Sequence, residues 1–342
     1  MVIDHYSKMN VLVTGGTGYI GSHTVVELQQ KGHEVYIIDN LSNSHMGVID
    51  AIEAITGIKP HFSRIDLCNA ASVKDFFVRN KIDSIIHFAA FKAVGESVQQ
   101  PLKYYYNNIT SLINLCKCAE EFSVKDFIFS SSCAVYGEPE YIPVDEKHPV
   151  KDAQSPYGAT KQMCERILAD IAASGTLRAI ALRYFNPSGA HPSVLIGELA
   201  LNEPSNLVPV ITRTAAGKRN EMVVFGDDYD TPDGTCIRDY IHVKDIAVAH
   251  INAVERLREK KNKNSYEVFN LGTGRGYSVL EVIKCFEKVT GKKLNYRVGP
   301  RREGDVSKVY SDCKLSNSVL GWKAEQPLEE MLSSAWQWEQ KI

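Results

Sequence analysis

Short β-branched runs alternate with longer segments of helical period through the first half of the chain, and that rhythm constrains the fold more than any other feature. Strand-like 10–14 precedes helical 19–31, 34–39 precedes 46–56, 82–88 precedes 101–122, and 126–130 follows in turn. Such alternation builds βαβ units, hence a parallel sheet with helices on both faces. A helix over 156–173 and a buried strand over 178–183 extend the series. Beyond Asn186 the regularity fades into loops punctuated by Gly and Pro, with helices expected at 207–217, 243–260 and 278–290. At 342 residues the chain exceeds the roughly 250 to 300 at which one core usually stops growing, which favours two lobes around a cleft. The expected class is α/β, a Rossmann-type doubly wound parallel sheet with a smaller α/β C-terminal substrate lobe. Its expected parts are a dinucleotide-binding domain over 9–186 and a lobe over 187–342, with 268–271 returning to the large sheet as a strand.

Composition mainly excludes. A formal charge of -2 leaves no basic field for a polyanion, so nucleic acid is not an expected partner. Cys68, Cys116, Cys118, Cys133, Cys164, Cys236, Cys285 and Cys313 include no C-x-x-C pair. They suggest neither a zinc site nor a disulfide framework, and read as small hydrophobes in a reducing compartment. Residues 1–8 carry no signal-peptide pattern, and no apolar run reaches about 18 residues, so a cytoplasmic protein without a membrane span is expected.

Strand 10–14 runs into Gly15-Gly16-Thr17-Gly18-Tyr19-Ile20-Gly21, and a helical pattern follows at once. Glycines here let the backbone turn and approach a pyrophosphate, whose charge is favoured by the helix N-terminus. The spacing is G-x-x-G-x-x-G rather than G-x-G-x-x-G, and alone it is weak evidence. The second strand, however, ends at Asp39, 18 residues past Gly21, close to the roughly 20 expected of a ribose-binding acid. A carboxylate there repels a 2′-phosphate, and no Arg follows in 40–43, so NAD is favoured over NADP. Asp66 has two readings: it reaches the adenine amino group, or it caps a helix over 70–79.

In Ser155-Pro156-Tyr157-Gly158-Ala159-Thr160-Lys161, Ser155 can cap a helix whose first turn suits Pro156. Tyr157 and Lys161 then lie at i and i+4 on one face. An ammonium near a phenol favours the phenolate, which suits a general base that removes a hydroxyl proton. About 25 residues earlier, Phe127-Ile128-Phe129-Ser130-Ser131-Ser132 forms a buried strand that delivers hydroxyls at its C-terminal end. Ligands of open α/β sheets bind there, so Ser132 is placed to hydrogen-bond the reacting oxygen, while Ser130 and Ser131 read more simply as strand-end residues.

The glycine loop, His87-Phe88-Ala89-Ala90, Ser130 to Ser132 and the Tyr157/Lys161 pair together resemble the extended short-chain dehydrogenase/reductase superfamily. Longer stretches resemble its UDP-glucose 4-epimerase (UDP-galactose 4-epimerase) family: Lys92-Ala93-Val94-Gly95-Glu96-Ser97-Val98, Arg183-Tyr184-Phe185-Asn186-Pro187, Arg238-Asp239-Tyr240-Ile241-His242-Val243 and Pro300-Arg301-Arg302-Glu303-Gly304-Asp305. The likeness spans nearly everything beyond residue 8. It implies Tyr157 as catalytic base and acid, Lys161 as its electrostatic partner and Ser132 as hydrogen-bond partner of the sugar oxygen. Implied cofactor contacts are Gly15, Gly18, Tyr19, Ile20, Gly21, Asp39, Asn40, Ser42, Asn43, Asp66, Leu67, Phe88, Ala89, Ala90, Lys92, Asn107, Ser130, Tyr157, Lys161, Tyr184 and Phe185. Implied substrate contacts are Lys92, Ser132, Tyr157, Phe185, Asn186, Asn206, Leu207, Val223, Phe225, Arg238, Arg302, Asp305 and Val309. The family also implies a homodimer through helices 101–122 and 156–173, tightly held NAD and no metal.

The resemblance implies that C4 of a UDP-hexose is oxidised and then reduced on either face of a flat ketone. For inversion the hexose must turn while the nucleotide stays fixed, so binding energy belongs on the diphosphate and base. Arg238 and Arg302 suit that division, since guanidinium forks grip phosphate far from the reacting carbon. The alternative for each is a surface ion pair, Arg238 with Asp239 or Arg302 with Glu303. A nucleotide-sugar 4,6-dehydratase is the rival on this fold, but the Asp-Glu pair usual in such enzymes is replaced by Cys133-Ala134. A net oxidoreductase and a non-catalytic NAD sensor are further alternatives, and the intact Ser132, Tyr157 and Lys161 set counts against the sensor. Val309 stands where the family sizes the pocket around C2. A valine leaves room for an acetamido group, which extends the expected substrates to UDP-N-acetylglucosamine and UDP-N-acetylgalactosamine, or it is simply a core valine.

Overall fold

A computed structural model of the chain describes residues 8–199, 204, 206–302 and 304–342. Residues 1–7, part of the stretch in which no signal pattern was found, and Glu303, the alternative partner of Arg302, lie outside the described residues. In chain order the first elements are β1 (Asn10–Thr14), α1 (Tyr19–Gln30), β2 (Glu34–Asp39), α2 (Gly47–Thr56), β3 (His61–Arg64), α3 (Ala70–Arg79), β4 (Ser84–His87), α4 (Val94–Gln99), α5 (Pro101–Glu121), β5 (Asp126–Ser132), α6 (Pro156–Ala173) and β6 (Arg178–Tyr184). The remainder comprises β7 (Asn186–Ser188), α7 (Leu207–Ala215), β8 (Met222–Phe225), β9 (Ile237–His242), α8 (Val243–Arg258), β10 (Tyr266–Leu271), β11 (Gly276–Ser278), α9 (Val279–Thr290), β12 (Tyr296–Gly299), β13 (Lys308–Val309) and α10 (Leu328–Lys341).

Seven strands form one sheet in the order β10-β6-β5-β4-β1-β2-β3, and every pairing is parallel. Its inner strands are mostly buried because both faces are covered, whereas the edge strand β3 is polar and partly exposed. On one face Val25, Val26 and Leu28 of α1 pack with Ile49 and Ile52 of α2 and with Ile246, Val254 and Leu257 of α8. On the other, Phe76 and Phe77 of α3 pack with Leu112 and Leu115 of α5 and Leu168 of α6. Strand order reverses between β1 and β4, which opens a crevice at their carboxyl ends. Thr14 and His87, the last residues of those strands, join across it through Oγ1 and Nδ1 at 2.7 Å.

After β6 the chain leaves the large sheet and later re-enters it at β10, whose Tyr266 to Leu271 pair with Ala179 to Tyr184. The intervening and following segments hold more strand than the sequence suggested. β9 pairs with β7, β11 and β13, and β12 pairs with β8. These pieces surround a separate core in which Ile211, Met222, Tyr240, Phe286 and Trp336 meet. Among the described residues no helix is long and apolar enough to cross a membrane.

Candidate active site

At the crevice, Gly15 adopts a φ of +72°, and a Cβ added there would lie 2.8 Å from the Ala89 nitrogen. A Cβ on Gly21 would lie 2.2 Å from the Gly15 carbonyl oxygen. Glycine is therefore required at both positions, because the loop folds against the end of β4 and against its own following helix. Gly18 occupies the N-cap of α1 with no side chain bonded to the helix end. The first-turn N–H groups are thus left for an anion, and the positive end of the helix favours one.

Asp39 closes the far side of this cradle. Its Oδ2 accepts from Thr17 N at 3.3 Å and its Oδ1 from Leu41 N at 2.9 Å, which ties the glycine loop to the turn after β2. In that turn Asn40 Oδ1 accepts from Ser42 N at 2.9 Å. Asn43 lines a hollow with Thr17, Gly18 and Tyr19. Asp66 accepts from Cys68 N at 2.8 Å and does not cap α3; Asn69 does that, accepting from Ser72 N at 3.1 Å. Capping requires the residue next to the first turn, and Asp66 stands three positions too early. Leu67 is buried behind it, and its carbonyl accepts from Asn114 of α5. Phe88 and Ala89 run on from β4, Phe88 against His250 at 4.6 Å between ring centroids, with Ala90 partly buried after them. Asn107 Nδ2 donates to Asn108, whose own amide donates to Thr160 and so ties α5 to α6. This set, a cradle with no room for side chains, an open helix end and an acid at the ribose distance, fits a dinucleotide without a 2′-phosphate.

β5 and α6 carry the reactive groups to the same crevice. Ser155 caps α6 by accepting from Gly158 N at 3.2 Å, and Pro156 fills the first turn, so Tyr157 and Lys161 share a face. Lys161 Nζ donates to the Ser130 carbonyl at 2.5 Å and lies 5.9 Å from the Tyr157 ring centroid. Ser132 Oγ accepts from Ala134 N at 3.2 Å and sits beside the Tyr157 hydroxyl. The pair was expected to draw the phenol down, and the structure reverses that balance. Burial pushes Tyr157 up to about 12 against the pull of the Ser132 hydroxyl. Burial also draws Lys161 down to about 8, against the Cys164 thiol and the Glu165 carboxylate. Both groups lose their hydration, which costs each its charged form and outweighs the neighbours that favour it.

The walls come from both parts of the chain. Tyr184 Oη meets His250 Nε2 at 2.6 Å. Phe185 is buried in a cluster with Val135, Tyr136 and Val144, and Cys133 and Val309 pack against it. Asn186 pairs with Tyr240 in β9, and Val309 pairs with Arg238 in the same sheet. Arg238 does not pair with Asp239, whose fully buried carboxylate accepts instead from Thr273, Gly274 and Ser311. Adjacent residues of a strand face opposite sides, so the two cannot meet. Arg238 approaches Asp305 at 3.7 Å, and Arg302 grips the same carboxylate with Nε at 3.1 Å and Nη2 at 2.7 Å. The Arg302 guanidinium also lies 5.7 Å from the ring of Phe225 in β8, where Val223 is partly buried. Asn206 and Leu207 open α7, and Asn206 Nδ2 reaches Glu198 at 3.4 Å.

Sequence reasoning missed Glu198, which also accepts from Lys92 Nζ at 3.0 Å across the cleft. The partners are 106 residues apart, so no local spacing could have revealed them. It missed the Asp239 hub for the same reason. Among the described residues no group of three or more His, Cys, Asp or Glu could hold a metal ion.

Comparison with known proteins gives this geometry a context. Residues 11–272 match the model of the NAD dependent epimerase/dehydratase family. The UDP-glucose 4-epimerase of Bacillus subtilis is 48% identical over 97% of this chain and 97% of its own. A crystal structure of UDP-glucose-4-epimerase from Stenotrophomonas maltophila, with bound NAD and formylated UDP-arabinopyranose, superposes with a TM-score of 0.94 at 47% identity, covering 97% of this chain and 98% of that one. That of UDP-glucose 4-epimerase from Bifidobacterium longum, in complex with NAD+ and UDP, gives 0.93 at 44% over the same shares. From the cradle at β1, the Tyr157/Lys161 face of α6 and these end-to-end likenesses, the chain belongs to the NAD dependent epimerase/dehydratase family.

Proposed function

We propose that the chain interconverts UDP-glucose and UDP-galactose through a transient 4-keto sugar, with NAD retained between turnovers. The observation that carries this reading is the meeting of Tyr157, Lys161 and Ser132 at the carboxyl end of β5, in the same crevice as the glycine cradle. Gly15, Gly18 and the α1 N-terminus hold the cofactor pyrophosphate, Asp39 its ribose and Asp66 its adenine. Bound NAD supplies the hydride acceptor and, when oxidised, a positive charge. Tyr157 takes the proton of the C4 hydroxyl and returns it to the oxygen of the inverted alcohol, while Ser132 holds that oxygen and Lys161 steadies the charge. Arg238 and Arg302 hold the diphosphate, releasing Asp305 as phosphate takes its place, and leave the hexose free to turn.

Elimination of water, as in a 4,6-dehydratase, would need another acid near the sugar. Cys133 follows Ser132, and burial pushes its thiol up to about 11, which makes it a poor proton donor. Val309, small and packed beside Phe185, supports turnover of the N-acetylated UDP-hexoses as well. A second copy of the chain covers the apolar face of α5, where Leu102 is 82% and Tyr106 65% exposed. Its eight free thiols support a reducing compartment such as the cytoplasm.

The test is incubation with UDP-galactose and no added NAD, followed by chromatography. UDP-glucose should form, and Tyr157→Phe should slow it by about a thousandfold, within the range ascribed to positioned acid–base groups. A 4-keto-6-deoxy product, or Tyr157→Phe at full speed, rejects the assignment.

A further inference from the structure

Two bidentate arginine–carboxylate pairs stand in the described interior. One joins Arg256 of α8 to Glu267 of β10. The other joins Arg183 of β6 to Glu165 of α6, with Nε to Oε1 at 2.9 Å and Nη2 to Oε2 at 2.6 Å. Side chains of the second pair are only 6% and 9% exposed. A buried ion pair is a poor source of stability, since apolar residues of similar volume often do as well. The placement of Glu165 points to a different use.

Tyr157, Lys161 and Glu165 occupy i, i+4 and i+8, three successive turns on one face of α6. Glu165 Oε1 also accepts the Ser131 hydroxyl at 2.5 Å. Ser131 lies between Ser130, whose carbonyl receives Lys161, and Ser132, and in the sheet it stands opposite Arg183. One carboxylate therefore ties α6 to neighbouring rungs of β5 and β6, one turn beyond the reactive amine. Arg183 is steadied in turn by the Tyr136 ring, 4.8 Å from its guanidinium carbon, and the Tyr136 hydroxyl donates to Asn270 of β10 at 2.6 Å.

We propose that Glu165, clamped by Arg183 and Ser131, is a positioning residue that sets the height and rotation of α6, so that Lys161 and Tyr157 meet Ser132. The inference rests on the roles given to Tyr157 and Lys161 above. Its charge acts as well as its geometry. The groups facing Lys161 are Tyr157, Cys164 and Glu165 on its own helix, His87 from β4, and the Ser130 carbonyl and Phe129 ring from β5. Burial draws His87 down to about 3, so it is neutral, whereas the Glu165 carboxylate favours the ammonium form of Lys161. Without that carboxylate the amine loses its proton at lower pH.

Three variants test the proposal with UDP-galactose as substrate: Glu165→Gln, the paired Glu165→Leu/Arg183→Leu, and the paired Arg256→Leu/Glu267→Leu as a control for deleting a buried ion pair. The expected result for Glu165→Gln is a kcat at least tenfold lower, an unchanged Kd for UDP, and an alkaline limb of kcat moved to lower pH. Should Glu165→Gln fail to fold, the paired Leu variant, which leaves no unpaired charge, must show the same drop in kcat at unchanged UDP affinity. The control pair should keep kcat within twofold. Folded Glu165 variants with wild-type kcat and pH profile, or an equal loss in the control, overturn the proposal. If Tyr157→Phe is inactive while these variants are unimpaired, only this inference falls; full activity in Tyr157→Phe would remove the reading beneath it.

Discussion

Tyr157 is held near 12 by burial, so ionising it alone at neutral pH would cost roughly 7 kcal/mol at about 1.4 kcal/mol per unit. A free phenolate is therefore not the resting form. Tyr157 must first give its own proton to solvent, and the phenolate that then accepts the sugar proton is held by compensating positive charge. Lys161 supplies part of that charge, and its own depressed value of about 8 sets how long it can do so as pH rises. Val309 bears on substrate choice in the same local way. Its side chain packs against the cluster that holds Phe185, and in the proposed substrate pose a tyrosine ring there would fill the space an acetamido group needs. Val309→Tyr should abolish turnover of UDP-N-acetylgalactosamine while changing kcat/KM for UDP-galactose by less than about threefold, a discrimination that pocket volume alone can supply. Assaying both sugars at saturation checks this, and failure of the wild type on the acetylated sugar rejects it at once.

Elements whose signals are local were legible from sequence, and those assembled by distant contacts were not. Asp39, Tyr157, Lys161 and the Ser155 cap each follow from a spacing inside one strand–turn or one helix. β8 and β12 are four residues each and pair across more than 70 positions, so their existence depends on a partner no window contains. The two-residue β13 is held only by β9. The same logic hid the approach of Arg238 to Asp305, 67 residues away, whereas Arg302 meets Asp305 within one local turn. Helix α5 is different, because its outward face is legible and unusual: Leu102, Tyr106 and Ile113 project there, with Met163 exposed on the adjoining α6. Apolar contact area of this kind contributes about 25 cal/mol per Å² when covered by a second copy. Leu102→Glu with Tyr106→Glu should convert a dimer into a monomer by light scattering, with the chain still folded. A wild-type monomer at micromolar concentration would contradict the dimer.

The division expected at 186/187 does not divide the sheet. β10 arises 80 residues after that point and forms the edge ladder of β6, while α8 supplies Ile246, Val254 and Leu257 to the core over α1. The same two elements brace the end of β6. Phe185 N donates to the Leu271 carbonyl at 3.1 Å, and His250 of α8 supports Tyr184. Tyr19 Oη, at the cradle, donates to the Gly189 carbonyl at 2.5 Å, and Lys92 reaches Glu198 across the same cleft. Both halves of the chain thus border that cleft, which supports the proposed retention of a cofactor without a covalent link. Residues 1–186 expressed alone would expose the edge of β6 and uncover α1, so the fragment should aggregate and fail to quench its fluorescence on adding NAD. The whole chain, stripped of NAD, should instead unfold in one cooperative transition, and restoring NAD should add about 2.7 kcal/mol of stability at a hundredfold excess over Kd. Two separate melting steps, with only the first insensitive to NAD, would mean that the lobes fold independently and that the shared sheet does not couple them.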